Sequence, residues 1–566
     1  MASDASRPPR IVHLLPYLLL AASFLLAAWA GWDRWGDLWG DTGRELDLPR
    51  RLARGERLYS DLRWYYGPLA PHLNAALYRI FGVHSEVLAW AGVASAAALA
   101  VALVAVVEPL AGRWAACAGA FAFVHGCAFK HLGNLAIFNW AMPYTYAATY
   151  GMLASVGSLL ALLRHVKTGR TASLAVSVAL LVLAALSKAE AAFPALVVHS
   201  VATMLLAWTG RLRWRRHLAV YGLGVAALAG IYGGLLVAVG PSLWTENLAA
   251  LANPSSRAYI AWSAGTSDVR ASLASMGWSA ALLGGELAFA MVTARLADTW
   301  PRWRLAFAAA TGAALLAAAW TWGVAWGFQA LPILLVAALA SLAWRASRGQ
   351  ADLDDLQAAL IVTFALVALA RVALRVQLDH YGFYLLPAGL AALGLVVARL
   401  LPDLVGAGEG AFGQSRARWT EYQTELVTPR GRLLVPAGHA PLIALIHRLE
   451  ALPPGTRLVA LPLGATIPFL AGLETGEPLF SYLPMELPTA KADQALAARL
   501  AAHPPDFILR GRHDLSEFGV RAFGVGYAEA SSRLISRRYV PVDSAGLGVL
   551  LRLAAPARPT TSEAPP

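Results

Sequence analysis

Cysteine is nearly absent from the 566 residues: Cys117 and Cys127 are the only two. Two thiols allow at most one bridge. Both sit in an apolar stretch without metal-ligand spacing, so a disulfide framework is excluded and the pair reads as buried, inert thiols. Charge is scarce too. Asp, Glu, Lys and Arg make up 14% of the chain, against about 25% in ordinary globular proteins, while hydrophobic residues make up 58%. That balance excludes a soluble or a disordered protein. Acids are fewer than bases, 34 against 46, for a net charge of +12. In a soluble chain such an excess would point to nucleic acid; in a membrane chain it collects in short loops on the cytoplasmic side. No internal repeat or low-complexity array is present beyond alanine and leucine richness.

What is abundant is apolar runs of 17 to 25 residues, the length that carries a helix across a bilayer. They fall at about 11–31, 86–107, 113–130, 143–163, 171–187, 191–209, 218–239, 272–294, 305–322, 328–344, 355–373 and 383–401. The first ends in Ala28-Trp29-Ala30, the small-x-small pattern of a signal-peptidase site. It is long enough to span and many spans follow, so it reads as an uncleaved first helix. Basic clusters lie at 164–170, at 211–217, at Arg295, Arg302 and Arg304, and at Arg345 and Arg348. With these spans all four share one side, which the charge rule makes cytoplasmic. The net charge is then topology, and no nucleic-acid partner is expected. The opposite side receives loops 32–85, 131–142, 188–190, 240–271 and 374–382. Residues 68–83 are half apolar but carry His72, Asn74 and Arg79, so they are placed along the membrane interface.

From about residue 402 the composition changes. Residues 402–431 are polar and glycine-rich and read as a linker. Short strand signals follow at Leu433-Leu434-Val435, 457–462, Phe507-Ile508-Leu509 and 547–553, with helical signals at Pro441–Leu452 and 493–503. Alternating signals of this kind predict a small soluble α/β domain over 432–554. Residues 555–566, rich in Pro, Ala and Thr, read as a disordered end. The expected fold class is thus a polytopic α-helical membrane protein of about twelve spans, covering 1–401, with a small C-terminal α/β domain. Twelve spans return that domain to the cytoplasmic side.

The loop after the first helix is the most unusual segment. Asp41-Thr42-Gly43-Arg44-Glu45-Leu46-Asp47 packs three acids and an arginine into seven residues, and Trp64-Tyr65-Tyr66-Gly67-Pro68 follows. Taken as chemistry, this is either a solvated loop of charges with interfacial aromatics or the seat of a functional acid. Asp41-x-Gly43-Arg44-Glu45, Gly55-Glu56-x-Leu58-Tyr59-x-Asp61 and Tyr66-Gly67-Pro68-Leu69 resemble the first outer loop of GT-C membrane glycosyltransferases. The nearest branch is the bacterial one related to protein mannosyltransferases and lipid A aminoarabinose transferases. Phe138-Asn139-Trp140-Ala141-Met142-Pro143-Tyr144, Ser187-Lys188-Ala189-Glu190 and His380-Tyr381-Gly382-Phe383-Tyr384 resemble the same branch. The resemblance covers residues 10 to 400.

The resemblance implies a GT-C-like fold, a bacterial inner-membrane location, a site facing away from the cytoplasm and, against the count of twelve spans, a C-terminal domain on that same outer side. It implies transfer of a sugar, with inversion, from a polyprenyl phosphate to a lipid, glycan or protein acceptor. Asp41 occupies the position of the family's general base, with Arg44, Glu45, Asp47, Asp61 and Tyr66 as supporting residues of the first loop. The leaving phosphate needs cations and hydrogen bonds at headgroup level; Lys188, Arg371, Arg375, His380, Tyr381 and Tyr384 are the candidates. Asn139, Tyr144 and Glu190 are pocket candidates. Each has a plainer alternative. Lys188 could snorkel, Arg371 and Arg375, four apart on one helix face, could meet lipid headgroups, and His125, His131 and Asn134 could simply pack. The sequence also departs from the pattern. Residues 128–142 contain no Asp or Glu, where some relatives carry a second acid, and Tyr65-Tyr66-Gly67 stands where some place a Glu-Lys pair. No metal or other cofactor is therefore expected. A transporter or flippase using Glu108, Lys188, Glu190 and Glu286, or a non-catalytic envelope-assembly protein, are the competing readings.

Overall fold

The computed structural model describes residues 10–129, 136–244, 252–303, 328–349, 352–378, 380–400, 424–545 and 548–554, with 306, 307 and 310 as isolated points. Its membrane part is helical: α1 Arg10–Gly31, α2 Thr42–Ala53, α3 Leu69–Phe81, α4 Ser85–Phe123, α5 Tyr146–Thr168, α6 Thr171–Ser187, α7 Ala189–Trp208, α8 Trp214–Val239, α9 Pro254–Ala264, α10 Val269–Thr299, α11 Leu331–Ser347, α12 Leu353–Leu369 and α13 Gly382–Leu400. Seven of the described helices are long and apolar enough to cross a membrane, and α6 and α13 are shorter apolar helices. The predicted span 305–322 lies almost wholly outside the described residues; the other predicted runs fall on helices. Large apolar side chains such as Leu18, Leu25, Leu223 and Val237 face outward, as lipid-facing surfaces do.

Local chemistry explains where these helices turn. α4 holds two predicted spans, and Gly112, at φ 78°, breaks it between them. The arms fold back on each other, because Gly92 on one lies against the Ala141 carbonyl and Phe123 on the other against Trp140. α5 begins at a Thr145 cap, whose hydroxyl accepts from the Ala147 N–H, and ends at left-handed Gly169. Within the segment 68–83, expected along the membrane interface, Leu69–Phe81 form the short helix α3. Its Arg79 donates to the Leu52 and Ala53 carbonyls at the end of α2, and its Asn74 accepts from Tyr150 at 2.9 Å.

The C-terminal part contains a hairpin, β1 Thr424–Thr428 and β2 Gly431–Val435, and a four-stranded sheet of β3 Leu458–Leu461, β4 Phe507–Gly511, β5 Tyr539–Ala545 and β6 Gly548–Leu553. The sheet order is β3-β4-β6-β5; β3 and β4 are parallel and the remaining pairs antiparallel. Helices α14 Ala440–Glu450, α15 Thr466–Leu470, α16 Ala490–Ala502 and α17 Glu529–Arg538 accompany it. Two strands were not expected: β1, assigned by composition to the linker, and β5. Residues 555–566 lie outside the described residues.

This C-terminal domain sits on the first loop, so the two share one face of the molecule, as the resemblance implies and unlike the count of twelve spans. Arg51 donates to the Glu477 carbonyl at 2.7 Å, Arg54 pairs with Glu474 at 2.8 Å, and the Thr466 hydroxyl donates to the Asp37 carbonyl at 3.0 Å. A Cβ at Gly43 would lie 2.0 Å from the Thr466 nitrogen. The two backbones touch there, and only glycine allows it.

Candidate functional site

The site begins at a tight turn. The Asp37 carboxylate accepts from the N–H groups of Trp39 and Gly40 at 2.7 and 2.8 Å, and the Thr42 hydroxyl accepts from the Asp37 N–H. This local bonding launches α2 with Asp41 just before its first residue. Asp41 does not cap the helix with its side chain. It pairs instead with Arg44 at 3.0 Å. Arg44 also donates to the Tyr144 carbonyl at 2.8 Å and stands 3.4 Å from Glu45. Burial works against its charge, but Asp41 and Glu45 outweigh that and hold the guanidinium above its ordinary value.

Glu45 is buried and accepts from the Tyr146 N–H at 2.9 Å, so it holds the start of α5. Burial pushes its carboxyl up to about 7; Arg44 and the Tyr146 N–H oppose the shift and Asp41 adds to it. A further acid arrives from the C-terminal domain. Glu486 is 5% exposed. One oxygen accepts from the Ser481 hydroxyl at 2.7 Å, while the other has no hydrogen-bond partner among the described residues. Burial lifts it to about 7 as well, against Ser481 and Arg44 and reinforced by Asp41. Sequence reasoning missed Glu486. It lies far along the chain in a segment without a motif, and only the docking of the two parts brings it near Asp41.

Opposite these acids is a cationic half. Lys188, 4% exposed, lies between α6 and α7 and donates to the hydroxyls of Tyr144 at 2.5 Å and Tyr384 at 2.9 Å. The rings of Tyr66, Tyr144, Tyr381 and Tyr384 surround it at 4.7 to 5.2 Å, a cage that suits a cation. Glu190 is 3.4 Å from Lys188 and 3.4 Å from Arg371. Two cations thus share one carboxylate. Arg371 packs on the Tyr381 ring at 4.5 Å and donates to the Ser263 hydroxyl at 2.9 Å. Tyr66 joins the halves, since its phenol feels the charges of Arg44, Asp41 and Glu190; burial raises it well above the ordinary phenol value.

Other predicted residues stand further out. Arg371 and Arg375 were expected on one helix face, but α12 ends at Leu369; beyond it both reach α9, Arg371 at Ser263 and Arg375 at the Trp262 carbonyl. Arg375 packs on Trp262 at 4.0 Å. His380, left-handed at φ 46°, lies between Phe138 and Trp262 at 4.8 and 4.9 Å. Asp47 pairs with Arg50 at 2.6 Å, both 1% exposed, and not with Arg44. Asp61 accepts from the Arg57 N–H on an exposed turn. Asn139 donates to the Ala136 carbonyl and accepts from the Met142 N–H, which shapes its own loop. His125 is buried in a π-helical turn at the end of α4, and His131 and Asn134 lie outside the described residues. Glu108 hydrogen-bonds Tyr17 beside the Gly112 turn, at the end of the bundle away from Lys188 and Glu190.

No protein-family model matches the chain, and no curated protein matches its sequence. Among solved structures, it is similar to an oligosaccharyltransferase from Archaeoglobus fulgidus in complex with zinc and sulfate. The TM-score is 0.48 and the identity 13%, over 92% of this chain and 71% of that one. ArnT from Cupriavidus metallidurans bound to undecaprenyl phosphate gives a TM-score of 0.46 at 13% identity, over 95% of this chain and 98% of that one. The Archaeoglobus fulgidus AglB with an inhibitory peptide and a dolichol-phosphate gives 0.46 at 13%, over 96% and 75%.

Chemically, the arrangement sets an acid-rich half, Asp41, Glu45 and Glu486 around Arg44, beside a cation-rich half, Lys188 and Arg371 around Glu190. Among the described residues, no three His, Cys, Asp or Glu side chains form a group that could hold a metal.

Proposed function

We propose that this chain is a membrane glycosyltransferase of the GT-C kind. In this reading it moves a sugar from a polyprenyl-phosphate donor to a lipid, glycan or protein acceptor, with inversion, on the outer side of a bacterial cytoplasmic membrane. The division of charge is the observation that carries it. Lys188 and Arg371 share one carboxylate, so the tyrosine cage keeps a net positive charge that a departing phosphate would neutralise. Asp41 lies across Tyr66 from that cage and can take a proton as an acceptor hydroxyl attacks the anomeric carbon. General-base assistance of this kind is worth about 10²–10⁴ in rate. Arg44 fixes the Asp41 carboxylate through the 3.0 Å pair, Glu45 anchors that loop to α5, and Tyr144 and Tyr384 orient Lys188.

The test offers radiolabelled polyprenyl-phosphate sugars and a membrane-lipid extract as acceptor to the purified protein in detergent, with product analysis. Wild type is expected to transfer label. Asp41→Asn keeps the shape and much of the hydrogen bonding, and is expected to express, bind donor and lose at least about 100-fold in turnover. An Asp41→Asn variant with near-normal turnover, beside a dead Glu45→Gln, would place the base elsewhere.

A further inference from the structure

The face opposite Asp41 carries a second built feature. α5 runs 23 residues from Tyr146, whose N–H holds Glu45, to Thr168. At 1.5 Å per residue that is roughly 33 Å, about the thickness of the hydrocarbon core. At its far end a cleft of about 610 Å³ opens between the ends of α5 and α7 and the starts of α6 and α8. Lys167, Arg211, Arg213 and Arg216 line it, with His165 and His217, and no carboxylate does so among the described residues. Leu174, Leu206 and Leu353 add apolar lining.

Two further features favour an anion in this cleft. α6 starts at Thr171 and α8 at Trp214, and neither helix has a side-chain cap at its N-terminus. Both present bare N–H groups and the positive end of a helix dipole to the same region. The second feature is the histidine pair. His165 and His217 are buried, and their Nε2 atoms face each other at 3.3 Å. The Nδ1 of His165 meets the Arg170 carbonyl at 2.9 Å, and that of His217 the Arg213 carbonyl at 3.3 Å. A carbonyl only accepts, so the short His165 contact puts the hydrogen on its Nδ1 and turns its Nε2 lone pair towards His217. Either His217 gives up its longer carbonyl contact and donates from Nε2 to His165, or a proton shared by the two rings is balanced by an anion in the cleft.

We propose that this cleft binds a phosphate-bearing anion at the membrane boundary opposite Asp41. The headgroup of an anionic phospholipid and free phosphate share that chemistry, and basic pockets between spans on this side of a membrane suit such headgroups. Solvated loop charges alone would need neither a cavity nor a buried histidine pair between them.

Native mass spectrometry of the full chain in detergent would test this, with phosphatidylglycerol, phosphatidylcholine or inorganic phosphate added. Wild type is expected to retain phosphatidylglycerol over phosphatidylcholine, and Arg213→Gln/Arg216→Gln to weaken that retention about tenfold or more, as the loss of charge-assisted hydrogen bonds implies. Lys167→Gln, a milder change at an exposed helix end, is expected to weaken it by a smaller factor. Arg348→Gln, a basic-loop residue stacked on Trp344 and outside the cleft, is expected to match wild type. Competition by inorganic phosphate would make free phosphate a sufficient source; retention unaffected by phosphate would assign the site to the lipid. Equal retention of phosphatidylcholine and no phosphate binding, or equal losses in the cleft variants and Arg348→Gln, would overturn the proposal.

Discussion

Lys188 and Glu486 show how the same burial acts on opposite charges. Lys188 keeps its place by donating to two tyrosine hydroxyls and facing Glu190. Lys188→Ala removes those donors and leaves Glu190 to Arg371 alone. On the proposed reading the donor requirement rises about 10- to 160-fold, the cost of one charge-assisted hydrogen bond, while the acceptor requirement changes less. Steady-state kinetics with each substrate varied in turn would check this, and unchanged donor kinetics would remove Lys188 from the phosphate role. Glu486 gives a pH prediction with a definite sign. Its carboxyl sits at about 7 in the folded chain, against an ordinary value of 4.5, so between those limits the folded state holds a proton that the unfolded state has lost. Stability from this group is full below about 4.5, falls as pH rises, and is gone above about 7, a loss of about 3 kcal/mol. Glu486→Gln does not titrate. Its apparent melting temperature relative to wild type is expected to climb between pH 5 and pH 8, and a flat difference would refute the assignment.

At the scale of elements, the apolar runs located the helices because helix length and hydropathy are local properties. The motifs of the first loop, 138–144, 187–190 and 380–384 likewise pointed to residues that the fold brings near one another. What escaped was local only in part. α2 was read as a loop, since Pro49 and five charged residues interrupt its pattern; its buried face is made by α3 and the C-terminal domain together. β5 carries Pro541 beside a register shift, which weakens a strand signal, and β1 is a five-residue alternation inside polar surroundings. Glu486 could not be found at all from its neighbours in sequence. The α2 contact also makes a prediction. A methyl at Gly43 would meet the backbone of Ala465 and Thr466 at 2.0 to 2.3 Å, and backbone cannot step aside cheaply. Gly43→Ala is expected to cost about 1–3 kcal/mol or more and to lower turnover, because Asp41 and Glu486 are set by that contact. Gly438→Ala, where a Cβ meets nothing within 4 Å, serves as the neutral comparison in thermal unfolding.

For the whole molecule, the decisive relation is which parts share a face. α13 starts beside Trp140, where the Phe383 carbonyl accepts from the indole at 3.1 Å, and at Gly394 it has reached the Ala115 carbonyl near the Gly112 turn. It therefore runs from the Asp41 end to the opposite end. The chain is next described at β1, whose partner β2 returns to the Asp41 side: the Leu434 N–H donates to the Asp33 carbonyl at 2.6 Å. The domain and the first loop must then be accessible from one side of a membrane and the basic cleft from the other. Single cysteines at exposed positions, in a background lacking Cys117 and Cys127, can read this out with a membrane-impermeant thiol reagent on intact cells. Ser60→Cys in the first loop and Lys491→Cys in the C-terminal domain are expected to label together. Arg170→Cys and Arg215→Cys in the basic loops are expected to label only after the cells are opened. Labelling of Lys491→Cys with the basic loops instead would separate the domain from α2 and remove Glu486 from the site. Labelling of the basic loops from outside would invert the molecule, leaving Asp41 facing the cytoplasm and the proposed transfer on the wrong side.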